Sequence, residues 1–255
     1  MKTAHRIPKI IHYCWLSNDP FPKDIASFIA SWKKVLPDYE MMLWDLSRDQ
    51  IGENRWVQQS FEAKKYAFAA DYIRIYALYH YGGIYLDTDV EVIKSFDDLL
   101  YLPYFAGTEG GNWIEAAVLG AEKGADWLKN ILYYFDKPFV NIDGSYDMVT
   151  LPQVMNRIIE RKRQIKVADK KEIFEDIDRN FQSHFYLFEE DFFSPKNMGT
   201  GIIKKTKNTY AIHHFAMSWI PASQKLIPNV KRALMKALGV ERINVFIKLI
   251  RLFKK

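Results

Sequence analysis

Between residues 61 and 89 an apolar stretch with helical spacing runs into Gly82-Gly83, then into Ile84-Tyr85-Leu86 and two aspartates, Asp87 and Asp89. This succession constrains the fold more than any other part of the chain. Apolar residues recurring every three and four positions predict a helix over 61–81, and the diglycine ends it. The short apolar run that follows reads as a buried strand. Residues i and i+2 of a strand share a face, so the two carboxylates lie about 6–7 Å apart along the backbone. At an effective dielectric near 20 they repel by roughly 3 kcal/mol. A cation, a proton or a basic neighbour must offset that. Oxygen ligands on a rigid strand, with room left for phosphate, suit Mg²⁺ or Mn²⁺. An isolated Asp-x-Asp at a strand end more often caps a turn, so the surroundings decide.

The rest of the chain supplies them. The patterns predict strands at 9–16, 39–44, 84–86, 90–93, 104–107, 202–205 and 210–214, and helices at 24–35, 125–135 and 151–163. Charged residues 161–179 read as solvated surface. Strands alternating with helices imply an α/β fold, a central sheet with helices on both faces. Cys14 is the single cysteine of 255 residues, which rules out an intrachain disulfide and favours a reducing compartment. No signal-peptide pattern and no run of about 18 apolar residues is found.

The net charge of +5 is unevenly placed. Residues 229–255 hold eight Lys and Arg against Glu241, and the remainder is slightly acidic. From residue 243 onward Ile243, Phe246, Ile247, Ile250 and Phe253 form one helical stripe, and Lys248, Arg251 and Lys255 lie opposite. That pattern fits an interfacial helix on an anionic membrane and equally a helix docked on the domain. Two units are therefore expected, a catalytic domain over 1–228 and a basic amphipathic tail over 229–255. The body's charge gives no reason to expect nucleic acid as a partner.

Two further groups of residues point to chemistry. Asp71 and Arg74 are three apart on the predicted helix, so they share a face and can pair or act on one ligand. Near the end stand His213-His214-Phe215-Ala216-Met217-Ser218-Trp219. On a strand the two histidines face opposite ways, so one of them can complete a carboxylate-held metal. Ser218 and the Trp219 indole can donate to a diphosphate.

Taken in order, Ile7-Pro8-Lys9-Ile10-Ile11-His12-Tyr13-Cys14-Trp15, Ala70-Asp71-Tyr72-Ile73-Arg74, Tyr81 through Asp89, and His213 through Trp219 resemble glycosyltransferase family 32, which includes capsular-polysaccharide sugar transferases. The resemblance implies a GT-A-type nucleotide-sugar-binding fold with a mostly parallel central sheet, a divalent cation (Mn²⁺ or Mg²⁺) and retention at the anomeric carbon. It also implies roles. Trp15 stacks on the nucleobase, and Asp71 and Arg74 hold the donor sugar. Asp87 and Asp89 form the DXD motif, His214 joins them on the metal, and Ser218 and Trp219 hold the leaving diphosphate. Met217 departs from the glycine often found there in the family. The expected partners are a nucleotide-sugar donor, UDP-sugar favoured, and a glycan or lipid-linked glycan acceptor. The expected location is cytoplasmic, peripheral on the inner face of the cell membrane. No second carboxylate is placed as a nucleophile, so front-face attack by the acceptor is expected. A haloacid-dehalogenase-like phosphatase fits poorly, because Val90-Glu91 follows Asp89 where that class needs other residues. A non-enzymatic basic membrane- or nucleic-acid-binding protein would leave the joint occurrence of these motifs unexplained.

Overall fold

The computed structural model describes residues 4–45, 47, 52–216, 235 and 239. Met217, Ser218, Trp219 and nearly all of the 229–255 tail lie outside the described residues. The first half of the described chain runs β1 (Ile10–Cys14), α1 (Lys23–Val35), β2 (Glu40–Trp44), α2 (Arg55–Glu62), α3 (Tyr66–Tyr81), β3 (Gly83–Leu86) and β4 (Val90–Val92). It continues through β5 (Tyr104–Thr108), β6 (Ile114–Ala121), α4 (Asp126–Leu132), α5 (Leu151–Ile159), β7 (Gln164–Ala168), α6 (Lys170–Asn180), β8 (His184–Phe188), α7 (Glu190–Phe193) and β9 (Ala211–His213). Seven strands form one sheet in the order β2-β1-β3-β6-β5-β8-β7. The β1–β2, β1–β3, β5–β8 and β7–β8 pairs are parallel, and β6 runs antiparallel between β3 and β5. The fold is α/β with a mostly parallel sheet, as expected.

Central strands covered on both faces need apolar residues at every position. Accordingly β3, β5 and β6 are buried along their whole length. Two backbone conditions set β3 in place. Gly82 and Gly83 have φ of +67° and +107°, where a side chain is strained. A Cβ at Gly83 would also stand 2.7 Å from the Ile10 carbonyl oxygen. The glycines thus both end α3 and let β3 close on β1. Buried His12 fixes the turn. Trp44 Nε1 donates to its Nδ1 at 3.1 Å, so Nε2 carries the proton and donates to the Gly82 carbonyl at 2.8 Å.

The structure differs from the expected elements at three places. The helix predicted over 61–81 is two helices, α2 and α3, with Lys64 left-handed at φ 56° between them. The turn lets the Trp56 indole reach the Phe68 carbonyl at 2.9 Å and lets Phe61 meet Tyr66 at 5.2 Å, contacts one straight helix would forbid. Residues 161–179 contain β7 and most of α6 rather than a bare charged surface. Ile165, Ile173 and Ile177 are buried beneath the charges, and the Asp169 side chain caps α6 by accepting from the Glu172 N–H at 2.9 Å. Over 202–205 there is one bridge, Lys196 to Ile203, in place of a strand.

A candidate metal and donor site

Asp87 follows the C-terminal end of β3, beside the C-terminal end of β1, where Trp15 emerges. In open α/β sheets ligands bind at this end of the strands. A second device brings the distant C-terminal residues there. β4 and β9 pair antiparallel, with Val90 opposite His213. The His214 N–H donates to the Asp89 carbonyl at 3.0 Å, and the Ala216 N–H donates to Asp89 Oδ2 at 2.7 Å. Asp89 is held from both sides by the β9 end.

The two histidines diverge, as alternation on a strand requires. His213 Nε2 lies 3.5 Å from Asp89 Oδ1, and its Nδ1 lies 2.9 Å from Glu115 Oε1, without the alignment of a hydrogen bond. His214 turns the other way, with Nε2 at 2.9 Å from Glu91 Oε2 and its ring stacked on Phe28 at 4.3 Å. The family resemblance implies His214 on the metal. The structure instead puts His213 beside the aspartates, because register opposite Val90 points the odd-numbered ring inward.

Arg74 is the positive centre of this acidic site. It is 6% exposed, and its Nη2 lies 3.0 Å from Asp87 Oδ1 and 3.4 Å from Asp71 Oδ1. Its Nη1 donates to the Ala116 carbonyl, and its guanidinium stands 4.5 Å over the Tyr85 ring. Burial pushes Asp71 up to about 6; Arg74 pulls it down, and Asp87 pushes it up. Burial likewise raises Asp87, against Arg74 and with the help of Asp89. Burial disfavours a charged His213, yet Glu115, Asp89 and Asp87 outweigh it and hold the ring up at about 9. For His214 burial dominates and lowers it. The site is thus short of positive charge.

One ligand atom from each of Asp87, Asp89 and His213 lies within 4.8 Å of the others. Two carboxylates and an imidazole in that space are a donor set that fits Mn²⁺ or Mg²⁺. Glu109, Glu115 and His213 form an overlapping group by the same measure. Neither glutamate was expected from the sequence. The signal for Glu115 was there, a lone acid inside the apolar strand Ile114–Ala121. Glu115 is fully buried against His213.

Trp15 is half-buried beside the site, its ring against Phe21 at 5.0 Å and its Nε1 donating to the Asp19 carbonyl at 2.9 Å. The structure therefore brings together Asp71, Arg74, Asp87 and Asp89, sets Trp15 at the neighbouring strand end, and leaves His214 outside.

Residues 22–106, which contain the helix pair and the DXD strand, match the profile of the glycosyltransferase sugar-binding region containing a DXD motif. The chain carries a DXD-type glycosyltransferase region. It is 34% identical over 130 residues to inositol phosphoceramide mannosyltransferase 3 of Schizosaccharomyces pombe, covering 49% of this chain and 36% of that protein. It is 31% identical over 150 residues to mannosyl phosphorylinositol ceramide synthase SUR1 of Saccharomyces cerevisiae, covering 54% of this chain and 39% of that one. The chain thus spans little more than a third of the length of these relatives. Among solved structures, PaToxG glycosyltransferase aligns over 61% of this chain and 68% of its own, at 18% identity and a TM-score of 0.48.

Proposed function

We propose that this protein is a metal-dependent, retaining glycosyltransferase of the GT-A type, moving a hexose from a nucleotide-diphosphate sugar to a hydroxyl of a lipid-linked acceptor. The observation that carries the reading is the convergence of Asp87, Asp89 and His213 within 4.8 Å, beside the buried Arg74. Asp87, Asp89 and His213 would hold the cation, which when bound supplies Lewis-acid stabilisation of the departing diphosphate. The chain's own residues do the rest. Arg74 fixes one oxygen of Asp87, and the Ala216 N–H fixes one of Asp89, so the carboxylates are preorganised. Asp71, ionised above about pH 6, accepts hydrogen bonds from donor-sugar hydroxyls and offsets the positive charge that develops on the sugar. Trp15 is assigned to the nucleobase, and Ser218 and Trp219 to the diphosphate, from the sequence resemblance.

In the reaction the bond between the anomeric carbon and the phosphate oxygen breaks, and the acceptor oxygen bonds to the same face of that carbon. The acceptor proton passes to the departing phosphate oxygen. A UDP-sugar remains the favoured donor. The relatives are named as mannosyltransferases and synthases of phosphoinositol ceramides, so mannose and a phosphoinositol acceptor belong among the candidates tested. Residues 1–228 are read as the catalytic unit and 229–255 as a basic tail that holds it at the cytoplasmic face of an anionic membrane.

Thermal shift with UDP or GDP, Mn²⁺, and each pair tests the reading. A stabilisation by nucleotide plus Mn²⁺ that exceeds the sum of the separate effects is expected, followed by metal-dependent hydrolysis of one sugar nucleotide in a panel. Additive or absent shifts with both nucleotides would refute it.

A further inference from the structure

The short hairpin around residues 196–204 carries an apolar tip that nothing among the described residues covers. Met198, Ile202 and Ile203 are 58%, 43% and 40% exposed. Lys204, Lys205 and Lys207 follow immediately and are exposed, and none has an acidic partner among the described residues. At the base, Asp191 Oδ2 accepts from the Thr206 hydroxyl at 2.5 Å and the Asn208 amide at 3.4 Å. The tip is ordered by its own hydrogen bonds. The Asn197 N–H donates to the Ile202 carbonyl at 2.9 Å, the Gly201 N–H to the Asn197 carbonyl at 2.7 Å, and the Thr200 N–H to Asn197 Oδ1 at 2.8 Å. Three apolar side chains are thus presented to water from a preformed turn followed by exposed lysines, an arrangement suited to the boundary between lipid headgroups and acyl chains.

We propose that this hairpin is a membrane-docking element that inserts Met198, Ile202 and Ile203 into an anionic bilayer surface while Lys204, Lys205 and Lys207 meet the headgroups. Two observations connect it to the rest of the protein. Lys196 donates to the His214 carbonyl at 2.8 Å, which ties the hairpin to the strand end bearing His213. Met235, 5% exposed and part of the basic 229–255 segment, packs at Gly199, where an added Cβ would lie 3.5 Å from its sulfur. Met235 therefore lies against the hairpin. The site beside His213 would open next to the lipid surface from which a lipid-linked acceptor is taken. The proposal extends the functional reading, but its test involves no nucleotide or metal, so either can fail alone.

The test uses the full chain carrying Cys14→Ala and Met198→Cys, labelled at position 198 with an environment-sensitive nitrobenzoxadiazole dye. A second protein is labelled through Glu175→Cys, on an exposed turn of α6. Vesicles of equimolar phosphatidylcholine and phosphatidylglycerol should blue-shift the dye at 198, and a lipid-borne nitroxide should quench it, with no change at 175. Ile202→Ser with Ile203→Ser should lower partitioning at least tenfold. Lys204→Ser, Lys205→Ser and Lys207→Ser together should lower it about a hundredfold at low salt, at about fivefold per lysine. These surface changes should leave the melting temperature unaltered. Vesicle binding with the dye at 198 still in water would assign docking to the tail alone and overturn the proposal. So would absence of binding, or a blue shift that appears without lipid as the protein self-associates.

Discussion

Replacing Arg74 by methionine removes the positive charge at the centre of the site while keeping most of the side-chain volume. At an effective dielectric near 20, its contacts of 3.0 Å with Asp87 and 3.4 Å with Asp71 are each worth about 5 kcal/mol of attraction before desolvation. Returning the guanidinium to water in the unfolded chain recovers much of that. Breaking one side of a buried pair has a net cost of about 3–5 kcal/mol, because the partner charges stay buried and uncompensated. For a chain of this size that is a fall in melting temperature on the order of 10 °C. The sign of the pH dependence follows. Without Arg74 the carboxyls of Asp71 and Asp87 bind protons more tightly, so acid relieves the defect. Urea unfolding of both proteins at pH 5 and pH 8, free of metal, should show the smaller difference at pH 5. The cycle with Asp71→Asn and Asp87→Asn should recover most of the loss at pH 8. A penalty below about 1 kcal/mol, or one indifferent to pH, would refute the view of buried Arg74 as the counter-charge of a half-buried acid pair.

Asp89→Asn keeps an oxygen for the Ala216 N–H, so the melting temperature should change by no more than a few degrees while metal-dependent nucleotide binding and donor hydrolysis are abolished; near-normal turnover would contradict the metal role. Asp71 holds its proton in the folded state up to about pH 6, well above an ordinary aspartate. The folded state therefore binds more protons than the unfolded one between about pH 4 and 6, and stability falls across that window by up to about 3 kcal/mol. Asp71→Asn should flatten that fall in metal-free urea titrations, and an unchanged slope would reject the assignment. Gly83→Ala should destabilise the protein by more than about 2 kcal/mol in chemical denaturation, since it combines a φ of +107° with an approach of 2.7 Å to the Ile10 carbonyl; a neutral effect would show that the β3–β1 junction tolerates a side chain.

The residues legible in the sequence were those whose chemistry is local. The diglycine is a local break, and the DXD strand and the Asp71/Arg74 spacing depend on periodicities of two and of three to four residues; the structure brings Asp71, Arg74, Asp87 and Asp89 together at the C-terminal end of β3, with the diglycine at its start. What was not legible depends on pairing between remote segments. Which histidine faces the aspartates is set by β9 register against β4, and a shift of one residue would have exchanged them. Glu115 is not legible in the sequence because its strand, β6, is recognisable as central only once it pairs with both β3 and β5. The break at Lys64 was hidden because Phe61 and Tyr66 keep an apolar pattern across it, and the tertiary bond from Trp56 to Phe68 decides the turn. Beneath the charges of 161–179, three buried isoleucines were too sparse to outweigh the lysines and glutamates around them.

The central claim is that Asp87, Asp89 and His213 are the ligands of a divalent cation. Electron-spin-echo spectroscopy of the protein with Mn²⁺ and a nucleoside diphosphate tests it most directly, by detecting nitrogen bound to the metal. A histidine nitrogen modulation that is present in the native protein and in His214→Gln, and lost in His213→Gln, is the predicted result. Loss in His214→Gln with retention in His213→Gln, or Mn²⁺ bound with no histidine nitrogen, would contradict the account.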